Sequence, residues 1–244
     1  RLRVHGCCQL QGDGRPNYTN VRYPIPYDPP YVPDENPVGL YRRAFTLPDA
    51  WAGRRTILRF DGVDSAYRVY VNGALAGYSK VAHMPSEFDV SDLVKMGENA
   101  LCVQVYQWSD GTYLEDQDKW RLSGIFRDVS LLSLPRACVW DIQADALVDT
   151  ADYTTGVLRV RVATENAQGL MVRAALWDGK EMVWSCEGET LEARLPGVRR
   201  WTAETPERYD LVVTLSRGEE ILQAQCVRVG FRTVEIRAQQ LFVN

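Results

Sequence analysis

The chain has 244 residues, of which 45% are hydrophobic and 25% are charged. This length suits one large domain or two modest ones, and the composition excludes a disordered, collagen-like or coiled-coil chain. The net charge is −4, so there is no basic surplus and nucleic acid is not expected as a partner. No run approaches the ~18 apolar residues of a membrane span, so no membrane partner is expected either.

The histidines and cysteines restrict the metal-binding and disulfide chemistry that can be expected. The two histidines, His5 and His83, lie far apart and match no usual metal-binding spacing. The six cysteines form no CxxC pair, and the first twenty residues contain no signal-peptide pattern. We therefore predict reduced thiols in a cytoplasmic protein. Since the chain does not begin with methionine, we expect it to start part-way through a longer protein.

The first half of the chain reads as short strands with period-two alternation. The runs 56–60, 66–71, 74–78 and 100–107 alternate, and Asn72-Gly73 between two of them predicts a hairpin. Six of the chain's twelve prolines fall within residues 17–40, which predicts an extended surface segment.

Residues 86–99 are expected to form a capped turn. Ser91 is a candidate cap for this turn and Gly97 a candidate end.

A domain boundary is expected near residues 134–136. Beyond it, turn signals separate further strand-like runs and no long helical pattern occurs, so we predict an immunoglobulin-like sandwich. These runs are 139–147, 157–164, 170–177, 180–186, 209–216 and 220–229. The predicted fold class is all-β.

The stretch 108–129 carries the densest mixture of acids and aromatic residues. Carboxylates accept hydrogen bonds from sugar hydroxyls and aromatic faces stack on sugar C–H groups, so this composition suits carbohydrate recognition. A structural salt-bridge network is the alternative, and we favour it for Arg127 and Asp128. For Asp118, sugar or cation binding and a structural role are about equally supported by composition.

Several blocks of the sequence resemble a known family when read in order. They are YTNVRYPIPYDPPYVPDENPVG (18–39), YRRAFTLPDAWAGRR (41–55), FDGVDSAYRVYVNGALAGYS (60–79), PSEFDVS (85–91) and WSDGTYLEDQDKWRLSGIFRDVSLL (108–132). The chain resembles the N-terminal region of the large bacterial lac-type β-galactosidases of glycoside hydrolase family 2. The resemblance implies a sugar-binding jelly-roll domain over 1–135, with its first strand expected to be missing. It also implies an immunoglobulin-like domain over 136–237 and, over 238–244, the start of a linker to a catalytic TIM barrel.

The implied activity is hydrolysis of terminal β-D-galactosyl residues by the full-length enzyme. Its two catalytic glutamates belong to the barrel, so no catalytic residue is assigned within the chain and the chain alone is expected to be inactive. Three alternatives stay open: a free-standing carbohydrate-binding module, a degenerate relic, or the same region of a β-glucuronidase or β-mannosidase. The implied partners are a galactoside, the chain's own barrel domain and, as an open question, further copies of the protein.

The resemblance also assigns site residues. Asn20 of the YTNV block and Asp118 of the EDQD block are expected to contact galactose, and Asp118 to ligate sodium, weakly if the chain is isolated. Arg121 is expected to orient Asp118. Lys80 stands where the family has a glutamine near a peripheral magnesium site. We therefore expect that site not to form, which leaves Asp110 to cap a turn.

Overall fold

The computed structural model describes residues 3–18, 23–115 and 118–243. The chain divides into two compact units, Arg1–Leu134 and Pro135–Asn244. Strands dominate both units, and the only α-helix among the described residues is a single turn, α1 (Gly111–Leu114). The all-β prediction is confirmed.

Eleven strands lie in the part of the first unit that the structure describes. In chain order they are β1 (Asn17–Tyr18), β2 (Val38–Leu47), β3 (Arg55–Phe60), β4 (Val63–Asp64), β5 (Ala66–Val71), β6 (Ala74–Ser79), β7 (Ser86–Asp89), β8 (Gly97–Tyr106), β9 (Trp120–Arg121), β10 (Gly124–Ile125) and β11 (Val129–Leu134). A four-stranded antiparallel sheet has the order β2-β8-β5-β6, and a three-stranded sheet has the order β11-β3-β7. Two short ladders, β1-β9 and β10-β4, complete the pairing.

The core of the first unit comes from alternation along these strands. Val69 and Val71 of β5 and Val103 of β8 are almost completely buried, as is Phe60 of β3. Successive strand residues point to opposite sides of a sheet, so the residues between them face outwards. Each sheet of this unit therefore buries one face and exposes the other.

The predicted hairpin is present between β5 and β6. Asn72 and Gly73 adopt φ values of 50° and 87°, which a two-residue hairpin turn of this kind requires at both positions. The Asn72 amide nitrogen donates to Asn99 Oδ1 at 2.8 Å, and its oxygen accepts from the Ala100 amide at 2.9 Å. The turn is therefore fastened to the start of β8 as well as to its own strands.

The prediction for residues 86–99 is wrong in part, because the stretch begins with strand β7. This strand pairs with β3 through Leu58 opposite Phe88. The turn that follows is organised by Asp89, whose Oδ1 accepts from the Ser91 amide at 3.0 Å. Ser91 itself accepts from the Thr56 amide at 2.9 Å. Ser91 therefore joins this turn to β3 and does not cap it.

Nine strands lie within residues 135–243 of the second unit. They are β12 (Cys138–Val148), β13 (Gly156–Glu165), β14 (Met171–Asp178), β15 (Glu181–Glu187), β16 (Thr190–Leu195), β17 (Tyr209–Arg217), β18 (Glu220–Val229), β19 (Val234–Arg237) and β20 (Gln240–Val243). Sheets of order β12-β13-β16 and β15-β14-β17-β18 enclose a core in which Leu158, Leu176, Leu211 and Val213 are completely buried. This is the predicted sandwich, with β16 as an additional strand.

The last two strands form a hairpin. Residues 240–243 lie in the range predicted as a linker, and they pair with Val234–Arg237 of β19. None of the six cysteines is in a disulfide. Among the described residues, no helix is long and apolar enough to cross a membrane.

Candidate functional site

A two-stranded ladder brings together two segments that are a hundred residues apart in sequence. Asn17 of β1 lies opposite Arg121 of β9, and Tyr18 lies opposite Trp120. The rings of Tyr18 and Trp120 are 5.4 Å apart between centroids and tilted by 43°. This contact adds ring attraction to the two paired positions of a very short ladder. The ladder therefore places Tyr18 beside the residues that precede Trp120.

Asp118 is the predicted site residue that this ladder positions. The Tyr18 hydroxyl donates a hydrogen bond to Asp118 Oδ1. Asp118 is exposed, and 45% of Tyr18 is exposed. A carboxylate has about four acceptor positions, so it can accept sugar hydroxyls or ligate a cation while it keeps this bond. The arrangement holds a directed acceptor at the surface, next to two aromatic faces.

The other predicted sugar ligand, Asn20, lies outside the described residues. Tyr18 was not among the predicted site residues. A signal for it was available, because residues two apart in an extended segment share a face and Tyr18 precedes Asn20 by two positions. Its partner Asp118 has no such local signal, since only the fold joins the two segments.

Arg121 occupies a different environment from the exposed Asp118. Only 5% of it is exposed, and it lines a small cavity of about 10 Å³ together with Asp64 and Trp108. That volume suits about one water molecule. Burial raises the pKa of Asp64 to about 6, while the positive charges of Lys119 and Arg121 act in the opposite direction. The role predicted for Arg121, orienting Asp118, stays a prediction.

The proline-rich segment is fastened to α1 by tyrosines. The Tyr113 hydroxyl lies 2.8 Å from the Pro26 carbonyl oxygen and 2.7 Å from that of Tyr31. The ring of Tyr113 stacks on Tyr23 at 5.6 Å with an interplanar angle of 9°. The part of this segment that holds these tyrosine contacts follows β1 along the chain, and α1 precedes β9. The tyrosines therefore attach the chain that follows β1 to the helix that precedes β9.

An asparagine provides a second attachment for the same segment. The Asn36 amide nitrogen donates to the Trp108 carbonyl oxygen at 2.8 Å, and its oxygen accepts from the Trp108 amide at 3.0 Å. This reciprocal pair substitutes for a neighbouring strand at the end of β8.

The residues near the expected magnesium position do not fit a divalent ion. The Lys80 ammonium lies 2.5 Å from Asp110 Oδ2 and holds the pKa of that carboxyl below its usual range. Asp110 Oδ1 accepts from the Gly111 amide at 3.0 Å at the start of α1. Both oxygens of Asp110 are thus engaged, one by a positive charge. Within 3–18, 23–115 and 118–243, no three His, Cys, Asp or Glu side chains group together as metal ligands.

For the expected sodium site, the sequence predicts one ligand, Asp118. The Asp118 carboxylate is a hard oxygen donor, which suits such an ion, but a single carboxylate is an incomplete site. The donor chemistry fits, and the remaining ligands have to come from elsewhere.

Arg127 and Asp128 hold loops together. The Arg127 guanidinium donates to the His83 carbonyl oxygen at 2.8 Å and lies 5.2 Å from the Phe126 ring centroid. Asp128 lies 3.1 Å from His5 Nδ1 at an exposed position. These contacts agree with the structural role that we favoured for the two residues.

Family models cover both units of the chain. The model for "Glycosyl hydrolases family 2, sugar binding domain" matches residues 2–135, and the model for "Glycosyl hydrolases family 2" matches residues 138–232. The chain belongs to glycosyl hydrolase family 2. In this family 2 chain, the sugar-binding model matches the part that contains the β1-β9 ladder, with Tyr18 in it and Asp118 next to it.

Curated relatives of this family 2 chain are β-galactosidases. The enzyme of Aeromonas hydrophila is 44% identical over 94% of the chain, and that of Klebsiella pneumoniae is 40% identical over 97%. The chain spans about a quarter of the length of these relatives, 24% and 25% respectively.

Solved structures share the fold of the family 2 chain. Ligand-free β-glucuronidase from Ruminococcus gnavus superposes with a TM-score of 0.76 at 23% identity, over 84% of this chain and 38% of that one. A Bifidobacterium dentium β-glucuronidase gives a TM-score of 0.74 at 23% identity, over 84% and 41%. At this identity the likeness establishes the fold alone.

Proposed function

We propose that the chain is the non-catalytic sugar-binding and immunoglobulin-like part of a β-galactosidase that hydrolyses terminal β-D-galactosyl residues. The observation that carries the proposal is identity of about 40% or more, over nearly the whole chain, to enzymes named β-galactosidase. The β-glucuronidase likeness rests on fold, so it supports membership of the family without favouring that substrate.

In this proposal the Asp118 carboxylate accepts hydrogen bonds from galactose hydroxyls, and Asn20 completes the contact. Sodium would share Asp118 with the sugar, and the other ligands would come from the barrel domain. The Tyr18 hydrogen bond supports the role of Asp118, because it holds an exposed carboxylate in one direction. The catalytic glutamates are assigned to the barrel, and the chain contributes residues that bind the sugar.

The test is the rate of hydrolysis of a chromogenic β-galactoside by the full-length gene product, compared with a chromogenic β-glucuronide. We expect the galactoside to be the better substrate. Asp118→Asn should lower kcat/KM by about 10- to 100-fold, because a hydrogen bond to a charged group contributes about 1.5–3 kcal/mol. The thermal midpoint should not change.

The matched control is Asp128→Asn, an exposed acid ten residues away. It should leave kcat/KM unchanged. Preference for the glucuronide would overturn the proposed substrate, and unchanged kinetics in Asp118→Asn would remove Asp118 from the site. Clear turnover by the repurified 244-residue chain would contradict the non-catalytic assignment.

A further inference from the structure

The four-stranded sheet of the first unit leaves one face uncovered by its own core. Tyr41, Val69, Val103 and Val105 fill the buried face, and the residues that alternate with them point away from it. The outer set includes Val38, Leu40, Arg42, Ala44, Thr46, Arg68, Tyr70, Tyr78, Glu98, Ala100, Cys102, Gln104 and Tyr106. This face therefore combines aromatic rings, arginines and an amide.

Strand register aligns part of this set across the sheet. Gln104 lies opposite Arg68, and Arg68 lies opposite Tyr78. The Arg68 guanidinium carbon is 5.9 Å from the Tyr106 ring centroid, and the Tyr106 hydroxyl is 3.5 Å from Gln104 Oε1. Tyr78 is 51% exposed. We name Arg68, Tyr78, Gln104 and Tyr106 the tyrosine platform.

A depression adjoins the tyrosine platform. It has a volume of about 410 Å³, and its lining includes the small residues Ala44, Ala100 and Cys102 together with Arg42 and Arg43. Cys102 lies opposite both Arg42 and Tyr70, two positions before Gln104 along β8, so the depression and the platform occupy neighbouring rows of the sheet. Pockets of ~300–1,000 Å³ are the usual size for bound small molecules. Small side chains here leave room that larger ones would fill.

Arg42 and Arg68 outnumber the acid of the outer set, Glu98, so this face carries a positive charge although the chain is acidic. Within the ranges that the structure describes, Arg42 and Arg68 make no ion pair with a carboxylate. Asp110, beyond the platform, is paired with Lys80. Two arginines without a carboxylate partner attract anions, and the planar guanidinium group matches carboxylate and sulfate oxygens two at a time.

We propose that this outer sheet face binds an acidic oligosaccharide. Sugar rings lie on Tyr78 and Tyr106, and a carboxylate or sulfate group of the sugar reaches Arg68 and Arg42. An oligosaccharide fits because it offers C–H faces for tyrosine rings, hydroxyls for Gln104 and a charge for arginine in one chain. The proposal is independent of the β-galactosidase assignment, since none of these residues belongs to the ladder that carries Asp118.

The test is titration of the 244-residue chain, followed by saturation-transfer NMR, with three sugars of equal length. They are a galacturonic acid trimer, a sulfated galactose trimer and a neutral galactose trimer. We expect at least one acidic trimer to bind tenfold or more tighter than the neutral trimer, and the tighter acidic trimer identifies the charged group. Arg68→Gln and Tyr78→Ala should each weaken that binding about tenfold and leave the circular dichroism spectrum unchanged.

Two controls locate the effect on this face. Arg161→Gln removes an exposed arginine of β13 in the second unit and should leave affinity for the tighter acidic trimer unchanged, and Asp118→Asn tests whether that trimer is bound at the proposed galactose site instead. Loss of acidic-sugar binding in Asp118→Asn would move the ligand to the proposed galactose site and overturn the inference. The inference also fails if no trimer binds, if all bind equally, or if Arg68→Gln and Tyr78→Ala leave sugar binding unchanged.

Discussion

At the scale of single residues, the Tyr18 hydroxyl is what directs the exposed Asp118 carboxylate. An exposed carboxylate samples several rotamers, and ordering such a side chain costs conformational entropy. A fixed donor removes part of that cost before a sugar arrives, which is preorganisation in the sense used for binding sites. The ring of the same tyrosine serves a second purpose, because it packs against Trp120.

Tyr18→Phe separates these two purposes, because it keeps the ring and removes the hydroxyl. On the proposed function, we expect kcat/KM of the full-length enzyme for a β-galactoside to fall about 3- to 10-fold. This is less than for Asp118→Asn, because an exposed hydrogen bond is screened by solvent. Steady-state kinetics measure the effect. Tyr27→Phe, at a tyrosine that is 78% exposed, is the control and should change nothing; an equal loss there would mean that Tyr18 has no special role.

At the scale of elements, the aromatic ring of Phe88 links strands of the two sheets in the first unit. Phe88 of β7 lies 5.9 Å from Phe60 of β3 and 6.0 Å from Tyr67 of β5, measured between ring centroids. The ring rests on Gly77 of β6, where an added Cβ would come within 2.4 Å of it. Gly77 is thus required by close approach, and not by its backbone angle.

Gly77→Ala should therefore act through the displacement of Phe88. Overpacking a well-filled core usually costs about 1–3 kcal/mol, and we expect that loss in the free energy of unfolding measured with urea. Phe88→Leu shortens the side chain that clashes. The double variant Gly77→Ala/Phe88→Leu should be less destabilised than the sum of the two single changes. Simple additivity would show that the alanine strains something other than the ring.

At the scale of the whole molecule, the buried Asp64 makes stability depend on pH. The Asp64 carboxyl has a pKa of about 6, raised from 3.8 mainly by burial, with Glu115 adding to the shift and Lys119 and Arg121 opposing it. His83 Nε2 lies 3.5 Å away, and burial lowers the pKa of that imidazole. Since the folded state holds the Asp64 proton more tightly than the unfolded chain, ionised Asp64 destabilises the fold. That penalty grows from pH 4 to pH 6 and is complete above it.

Asp64→Asn removes this penalty. We expect the free energy of unfolding to rise by about 1–3 kcal/mol at pH 8, since the shift of about two pKa units corresponds to about 3 kcal/mol at most. At pH 4 most of the gain should vanish, because Asp64 is then protonated in the folded state and about half protonated in the unfolded chain. Urea unfolding at both pH values measures it. Asp92→Asn, at an exposed acid, should show no such difference; a gain for Asp64→Asn that is equal at pH 4 and pH 8 would contradict burial as its cause.

An element of this structure could be predicted from the sequence where the residues that determine it are neighbours in the chain. Asn72-Gly73 predicted its hairpin, because the two φ values depend on those residues alone. Strand β7 was missed since Phe88 is its only apolar residue, and its burial comes from β3 and β6. Strand β16 had a local signal in the alternation of Leu191, Ala193 and Leu195, although it was not among the predicted runs.

The candidate site likewise combines a residue that the sequence predicts with a contact that only the fold creates. Asp118 was predicted from composition and resemblance, whereas its contact with Tyr18 depends on a ladder between segments a hundred residues apart. The sequence had no local means of predicting that pairing.

The hairpin between β5 and β6 also carries a chemical consequence for the age of the protein. An asparagine side chain deamidates when the next backbone nitrogen attacks its amide carbon, and a following glycine leaves that attack unhindered. The residue pair that the tight turn demands is therefore also the pair most open to this reaction. Deamidation would replace the Asn72 nitrogen with a carboxylate oxygen facing Asn99 Oδ1 and the Leu93 carbonyl, both now acceptors of its hydrogens. Asn36 is protected from the same fate, because the next residue is Pro37, whose nitrogen carries no hydrogen.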